Sequence, residues 1–472
     1  MTLPTQPPPP GVAARLQTVL HGSRPVLVMT ATRLWQLVSG PVTIIFIAAY
    51  FTPDVQGLFY AIGRVLAVQG LFDLGLTGVM ISLSVREWGP ALDDGDVAAR
   101  RRLGELVRRS QRWFRRLAIG FALLVTPLGL WFLQDDAVRE IDWHAAWIAA
   151  SLLTALAIAY MPSVGLLEGR FVVEVNTMRL AQAILGSVVV WTTIRFGGGV
   201  WAITASAAVR VLCELALVRW RFGSTLRDLR NESVPEDGFG WESTVLPLQW
   251  RIAVQSLVNY FATQTFELIL YKADSPTAAG RFGMTWNILM AIQATSLAWL
   301  QARLPAIGTA IADGRIPEAR RTLRQTITLT IAFQVLGSAV LLVLLSALQH
   351  AAPRYAARML PLLPTAIFCV SLGVQNVVIC WASYVRLFRI EPFLRINLLW
   401  TSLIAVAAVV LGTRFGALGI AAGHAAVLIV VVPVLLVPVV RRERAIVEPA
   451  AERTGAADER MGERHGVEAN QD

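Results

Sequence analysis

Polar and glycine landmarks recur in the same order at an offset of about 218 through a chain otherwise dominated by apolar runs, and this internal repeat constrains the fold more than any single motif. Thr32-Arg33-Leu34 answers to Trp250-Arg251-Ile252, and Asp94-Gly95 to Asp313-Gly314. Arg100-Arg101 with Leu103 returns as Arg320-Arg321 with Leu323, and Arg195-Phe196-Gly197 as Arg414-Phe415-Gly416. Apolar residues align by chance in any membrane protein, so these polar and glycine matches carry the weight. They predict two similarly built halves.

What each half is made of follows from composition. The 472-residue chain is 55% apolar and only 16% charged, with a mean hydropathy of +0.56, far from the average of water-soluble domains. Runs of roughly 20 apolar residues suffice to cross ~30 Å of hydrocarbon. Twelve are expected, near 26–50, 57–84, 117–134, 145–167, 177–194, 198–218, 246–271, 281–302, 326–348, 359–383, 393–412 and 417–440. Backbone amides find no water inside a bilayer, so helices are the workable spans. The expected fold is therefore an all-α integral membrane protein, with about twelve transmembrane helices in two parallel-repeat six-helix bundles around a central cavity. The segments would be a tail at 1–25, a first bundle at 26–220, a polar linker at 221–245, a second bundle at 246–440 and a disordered tail at 441–472.

Arginine placement gives an orientation. Nine arginines fall between Arg86 and Arg116 alone, and the other basic clusters lie on the same side, which predicts that both termini are cytoplasmic. The net charge of +10 is then a consequence of topology and lipid headgroup contact, and no nucleic-acid partner is expected. Leu92 to Arg116 reads as an amphipathic helix lying on the inner membrane surface, with Ile316 to Arg324 as its repeat mate. Trp113, Trp131 and Trp143 fall at span ends and read as interfacial anchors.

Several chemistries are excluded. Lys272 is the only lysine and stands at a loop, so no phosphate-cradling loop of the ATPase type can be written. Of five histidines only His424 lies within a span, where it reads as a packed core residue, and no His/Cys/Asp/Glu spacing suits a metal. The short outer loops give no room for a catalytic domain. Neither an enzyme activity nor a cofactor is expected.

Ionisable groups inside spans remain as the functional candidates. Arg33 and Arg251 sit at similar depth in spans 1 and 7, where a guanidinium from each half would suit phosphate bidentately. Snorkelling toward water is the competing reading. Arg64, in span 2, would extend this basic track or reach outward. Asp73, near mid-membrane, must be paired, protonated or wet, either as a latch to Arg33 or Arg64, as a proton site, or as a helix-packing group. Glu267, toward the end of span 7, is the second acidic candidate for ion coupling, against simple exposure at the interface. Arg210 and Glu214 are four apart and should neutralise each other on one helix face.

Three strings in the first half carry a resemblance: Phe51-Thr52-Pro53-Asp54-Val55-Gln56-Gly57-Leu58-Phe59-Tyr60, Phe72-Asp73-Leu74-Gly75-Leu76 and Leu167-Glu168-Gly169. Two more lie in the second half, Leu246-Pro247-Leu248-Gln249-Trp250-Arg251 and Ala279-Gly280-Arg281-Phe282-Gly283-Met284-Thr285. Over about 26–440 the chain resembles the polysaccharide-biosynthesis transporters, O-antigen flippases among them, that flip lipid-linked oligosaccharides. Their superfamily also contains multidrug extruders and the lipid II flippases. The resemblance implies a transporter of the bacterial cytoplasmic membrane that moves an undecaprenyl-pyrophosphate-linked glycan by alternating access. Its implied partners are the lipid-linked glycan, membrane lipids, and the glycan polymerase or glycosyltransferases of the same pathway. In the lipid II flippases cavity arginines on helices 1 and 2 are implicated in binding the pyrophosphate, which implies that role for Arg33 and Arg64. The internal repeat adds Arg251 as the third substrate-binding candidate, and Asp73 or Glu267 stand as the ion-coupling or latch candidates. The chain departs from the lipid II flippases in having twelve spans where they have fourteen. It departs from many proton-coupled drug extruders in lacking an acidic residue in span 1. An ion-coupled multidrug or small-molecule antiporter is the alternative.

Overall fold

The computed structural model describes residues 12–73, 75–232, 254, 257–258, 260–261, 263–388, 393–431 and 433, with side chains from Arg24 onward and without those of 393–396. Among them the chain is all helix, and nine helices are long and apolar enough to cross a membrane. Arg251, most of the expected linker and the tail at 441–472 lie outside the described residues.

The chain divides into two compact units, and the division does not fall at a single point. One unit takes Met1–Val55 and Val65–Ser256, the other Gln56–Arg64 and Leu257–Asp472. The second span is therefore shared, because its first part packs with the C-terminal unit.

In the first unit, α1 is Val12–Tyr50, which takes in much of the expected N-terminal tail. The second span is three pieces, α2 (Pro53–Leu66), α3 (Gln69–Asp73) and α4 (Leu76–Leu92). Gly75, at φ 74°, supplies the left-handed residue that restarts the helix. Then come α5 (Val97–Phe132), α6 (His144–Glu168), α7 (Val172–Arg195), α8 (Trp201–Leu215, continued by a wider turn to Arg221) and α9 (Gly223–Asn231). Helix α1 packs on α7, and α5 on α4 and α6.

The second unit repeats this order. Helix α10 (Phe266–Ala273) ends the seventh span, and α11 (Pro276–Ala312) starts from the Ser275 cap with Pro276 in its first turn. It is followed by α12 (Ile316–Ala351), α13 (Leu362–Arg386) and α14 (Phe393–Ala426), the last being two helices that meet at a kink at Gly416. The landmark glycines share positive φ in both halves. Gly95 and Gly314 have φ of 68° and 72°, and Gly197 and Gly416 have 77° and 58°. Burial repeats as well: Leu103, Leu106, Ser110, Phe114, Ala118 and Phe121 of α5 are buried, and so are Leu323, Thr326, Thr330, Gln334, Ser338 and Leu341 of α12, each 220 positions on.

Two expectations need correction. The basic segment 92–116 is not a separate surface helix, because α5 runs unbroken for 36 residues from the Asp96 cap. Most of its apolar stripe meets protein, with Val97 exposed. Leu103, Leu106 and Val107 are buried, α9 lies against the helix, and the guanidinium of Arg108 donates to the Arg230 and Glu232 carbonyls while Arg100 pairs with Glu232. Gly104 permits this approach, since a Cβ there would strike the Leu229 carbonyl. Part of the linker is thus a docked helix. Secondly, Trp143 is not an exposed anchor: it is 1% exposed and stacks on His144 at 4.1 Å, whereas Trp131 is 70% exposed as expected. A tryptophan just before a helix start can fold back under the preceding turn, and sequence position alone does not distinguish that from reaching outward.

Candidate functional sites in the two units

The first unit contains a cavity of about 670 Å³, in the size range of small-molecule sites. Helix α1 contributes Arg33, the restart of the second span contributes Asp73 and Thr77, and α7 and α8 contribute Arg179, Arg210 and Glu214. The three guanidinium groups differ in state. Arg179 makes two 2.6 Å bonds to the Glu168 carboxylate, and Arg210 holds Glu214 at 3.0 Å and Gln69 at 2.9 Å. Among the described residues, no hydrogen bond or ion pair engages Arg33. Arg33 therefore stands on the cavity wall with its hydrogen-bonding capacity unspent. The rest of the wall is mixed: Asn176 and Gln182 are polar, while Met29, Met161 and Met178 supply soft apolar surface.

Asp73 shares this cavity but is not latched to an arginine. Its carboxylate accepts from the Thr77 backbone amide at 3.1 Å and from the Thr77 hydroxyl, closing the first turn of α4. The spacing Asp73-Leu74-Gly75-Leu76-Thr77 contained that signal, a carboxylate ahead of a left-handed glycine and a helix restart.

In the second unit, Arg64 and Glu267 form one ion pair. The Arg64 Nη2 lies 2.7 Å from Glu267 Oε1, and its Nε donates to the same oxygen at 2.8 Å. Gln264 accepts from Arg64 Nη1 at 2.6 Å, and the Tyr260 hydroxyl donates to the Arg64 carbonyl at 3.1 Å. Glu267 is fully buried, which removes the reading of it as an acid exposed at the interface. The other carboxylate oxygen, Oε2, has no hydrogen-bond partner among the described residues. Glycines at the crossing of α2 with α11 allow this geometry. A Cβ on Gly57 would overlap the Pro276 carbonyl, and one on Gly280 would lie 2.8 Å from the Gly57 nitrogen. Gln56 ties the same crossing, donating to the Gly280 and Arg358 carbonyls at 2.9 and 3.0 Å.

The expected site residues thus fall into two places. Arg33 and Asp73 share the first unit's cavity, Arg64 and Glu267 form the second unit's buried pair, and Arg251 lies outside the described residues. Arg179 and Gln182, which sequence reasoning passed over, join Arg33 on the cavity wall. His424 is a packed core residue as expected, buried beside Phe368 with Nδ1 2.9 Å from the Ser371 hydroxyl.

No family model matches the chain, and no curated protein matches it either. Solved structures do. A multidrug resistance MATE family transporter of the MOP superfamily, in its inward-facing conformation, superposes with a TM-score of 0.63 at 15% identity, covering 90% of this chain and 96% of that one. A MOP superfamily transporter from Pyrococcus furiosus gives 0.55 at 13% identity, with 90% and 95% covered. The lipid II flippase MurJ, in an inward closed conformation, gives 0.54 at 12% identity, with 88% and 87% covered. At such identities the likeness is one of fold: this chain shares the fold of MOP superfamily transporters.

Proposed function

We propose that the chain is a membrane transporter that moves a polyprenyl-pyrophosphate-linked oligosaccharide across the bacterial cytoplasmic membrane by alternating access, for surface polysaccharide assembly. The observation that carries this reading is Arg33, an unengaged guanidinium on the wall of a cavity whose other two arginines are already balanced by Glu168 and Glu214. A phosphate entering there gains a bidentate, permanently charged partner without first breaking an ion pair. Arg179 holds its carboxylate through the same fork that would grip phosphate, so partner exchange offers a second contact. Moving sugars and a pyrophosphate through hydrocarbon unaided costs far more than thermal energy, and a polar cavity substitutes for their hydration. The fold shared with a lipid II flippase supports the same reading.

A second reading rests on a different observation. Met29, Met161 and Met178 face the same cavity, and methionine is a flexible side chain that accommodates varied apolar shapes. Together with the fold shared with multidrug transporters, this supports an ion-coupled drug antiporter, with Glu267 as its buried acid. The two readings separate in cells lacking the endogenous protein. Under the first, Arg33→Ala abolishes surface glycan while drug susceptibility stays constant. Under the second, Arg33→Ala leaves glycan display intact and deletion of the gene raises drug sensitivity.

A further inference from the structure

The two halves agree closely in burial along α5 and α12, which makes one disagreement informative. At the 220-residue register, exposed Val335 and Leu336 of α12 correspond to Arg115 and Arg116 of α5, and Ala332 to Arg112. Positions that present aliphatic surface in one half present guanidinium in the other. General topology does not account for this, because both helices already carry arginines at their starts: Arg101 and Arg102 in α5, Arg320, Arg321 and Arg324 in α12. The α5 cluster lies two further turns along.

Its local chemistry is equally specific. Arg112 and Arg115 spend their Nε–H groups on the Arg108 and Gln111 carbonyls of their own helix, which leaves the terminal nitrogens free. Among the described residues no carboxylate pairs with Arg112, Arg115 or Arg116, although the neighbouring Arg109 is held by Glu105 at 2.7 Å. Trp113 is partly exposed beside them. Farther along the same face Ile119 and Leu123 are 58% and 69% exposed, so the face passes from guanidinium to aliphatic within two turns. From Arg116 to the exposed Trp131 the helix rises only ~22 Å, against a hydrocarbon thickness of ~30 Å. A bilayer meeting this face thins toward the arginines or the arginines extend to it, and either way guanidinium and phosphate meet.

We propose that Arg112, Arg115 and Arg116 form a binding site for the phosphate of an anionic phospholipid, with Ile119 and Leu123 lying along its acyl chain. Three guanidinium groups within about a turn supply charge and directed N–H donors, and the tryptophan fixes headgroup depth. The occupant is a resident lipid of the leaflet at the basic end of α5. The site lies apart from the Arg33 cavity and does not depend on what that cavity transports.

The test uses full-length protein in nanodiscs of phosphatidylcholine with increasing phosphatidylglycerol, with bound lipid counted by native mass spectrometry. The wild type should retain phosphatidylglycerol, and R112Q/R115Q/R116Q should lose at least tenfold in its retention. R320Q/R321Q/R324Q, at the start of α12, should retain it as the wild type does. Equal retention by the α5 triple variant, or equal loss in the α12 control, overturns the proposal. Should the triple variant not fold, a headgroup-photoreactive phosphatidylglycerol on wild-type protein decides: labelling should fall on residues 112–123, and labelling only elsewhere overturns it. Displacement of that label by polyprenyl diphosphate at equal mole fraction would assign the face to a transport substrate instead, and would likewise overturn it.

Discussion

Arg64 and Glu267 meet across 203 residues of sequence, guanidinium to carboxylate at 2.7 Å, with the acid wholly buried. The pair fixes the first part of the second span to the C-terminal unit, where Gln56 and the Gly57–Gly280 crossing hold the other end of the same helix. Removing one partner leaves a buried charge uncompensated, while removing both does not. Arg64→Ala should therefore destabilise the protein by ~3–5 kcal/mol, and the Arg64→Ala/Glu267→Gln pair should recover most of that loss. Thermal unfolding of the purified variants reads this directly. A double-variant loss equal to the sum of the Arg64→Ala and Glu267→Gln losses would show that the pair is not coupled.

The crossing of α2 with α11 should tolerate no side chain at Gly57. Gly57→Val places atoms against the Pro276 carbonyl, which is backbone and cannot rotate away. The expected result is poor yield of folded protein in size-exclusion profiles, with overpacking costing about 1–3 kcal/mol or more. Gly63, which has open space around it, should accept alanine with normal yield.

Gly197 and Gly416 turn the chain between paired spans in each half, both at positive φ. Alanine at either position should cost about 1–2 kcal/mol or more from its Cβ, and at Gly416, whose ψ of −141° lies outside the left-handed helical region, asparagine should fare no better. Matching losses in thermal midpoint at the two sites would confirm that the repeat extends to turn chemistry.

Asp73 closes a helix turn through Thr77, so Asp73→Asn, which preserves an accepting oxygen, should transport at near wild-type rate with an unchanged pH profile. Asp73→Ala should lose about 0.5–2 kcal/mol of stability with the loss of its cap. A pH profile displaced by Asp73→Asn would assign this residue the proton-coupling role.

The elements and their repetition were legible because membrane spans announce themselves by length, and because glycine at a left-handed turn has few substitutes. The Arg210–Glu214 pair was legible for a similar reason, being four residues apart on one helix. The Arg64–Glu267 pair was not. It depends on where two helices cross, and the glycines that set this crossing have neighbours that sequence does not name. The 92–116 segment was misplaced because an amphipathic stripe is the same whether it meets lipid or another helix, and the partner, α9, lay in what read as linker. Arg33 could be placed at its depth by counting, whereas its unpaired state required knowing that Glu168 and Glu214 go to other arginines.

On the proposed function, Arg33 grips the phosphate of a lipid-borne substrate. Purified protein in proteoliposomes, supplied with a fluorescent polyprenyl-pyrophosphate oligosaccharide, allows flipping to be followed by reduction of the fluorophore from outside. The wild type should flip it, Arg33→Ala should fall to the rate of empty vesicles with its thermal midpoint unchanged, and Arg33→Lys should retain a fraction of the activity. Wild-type flipping by a correctly folded Arg33→Ala protein would rule out phosphate binding by this guanidinium.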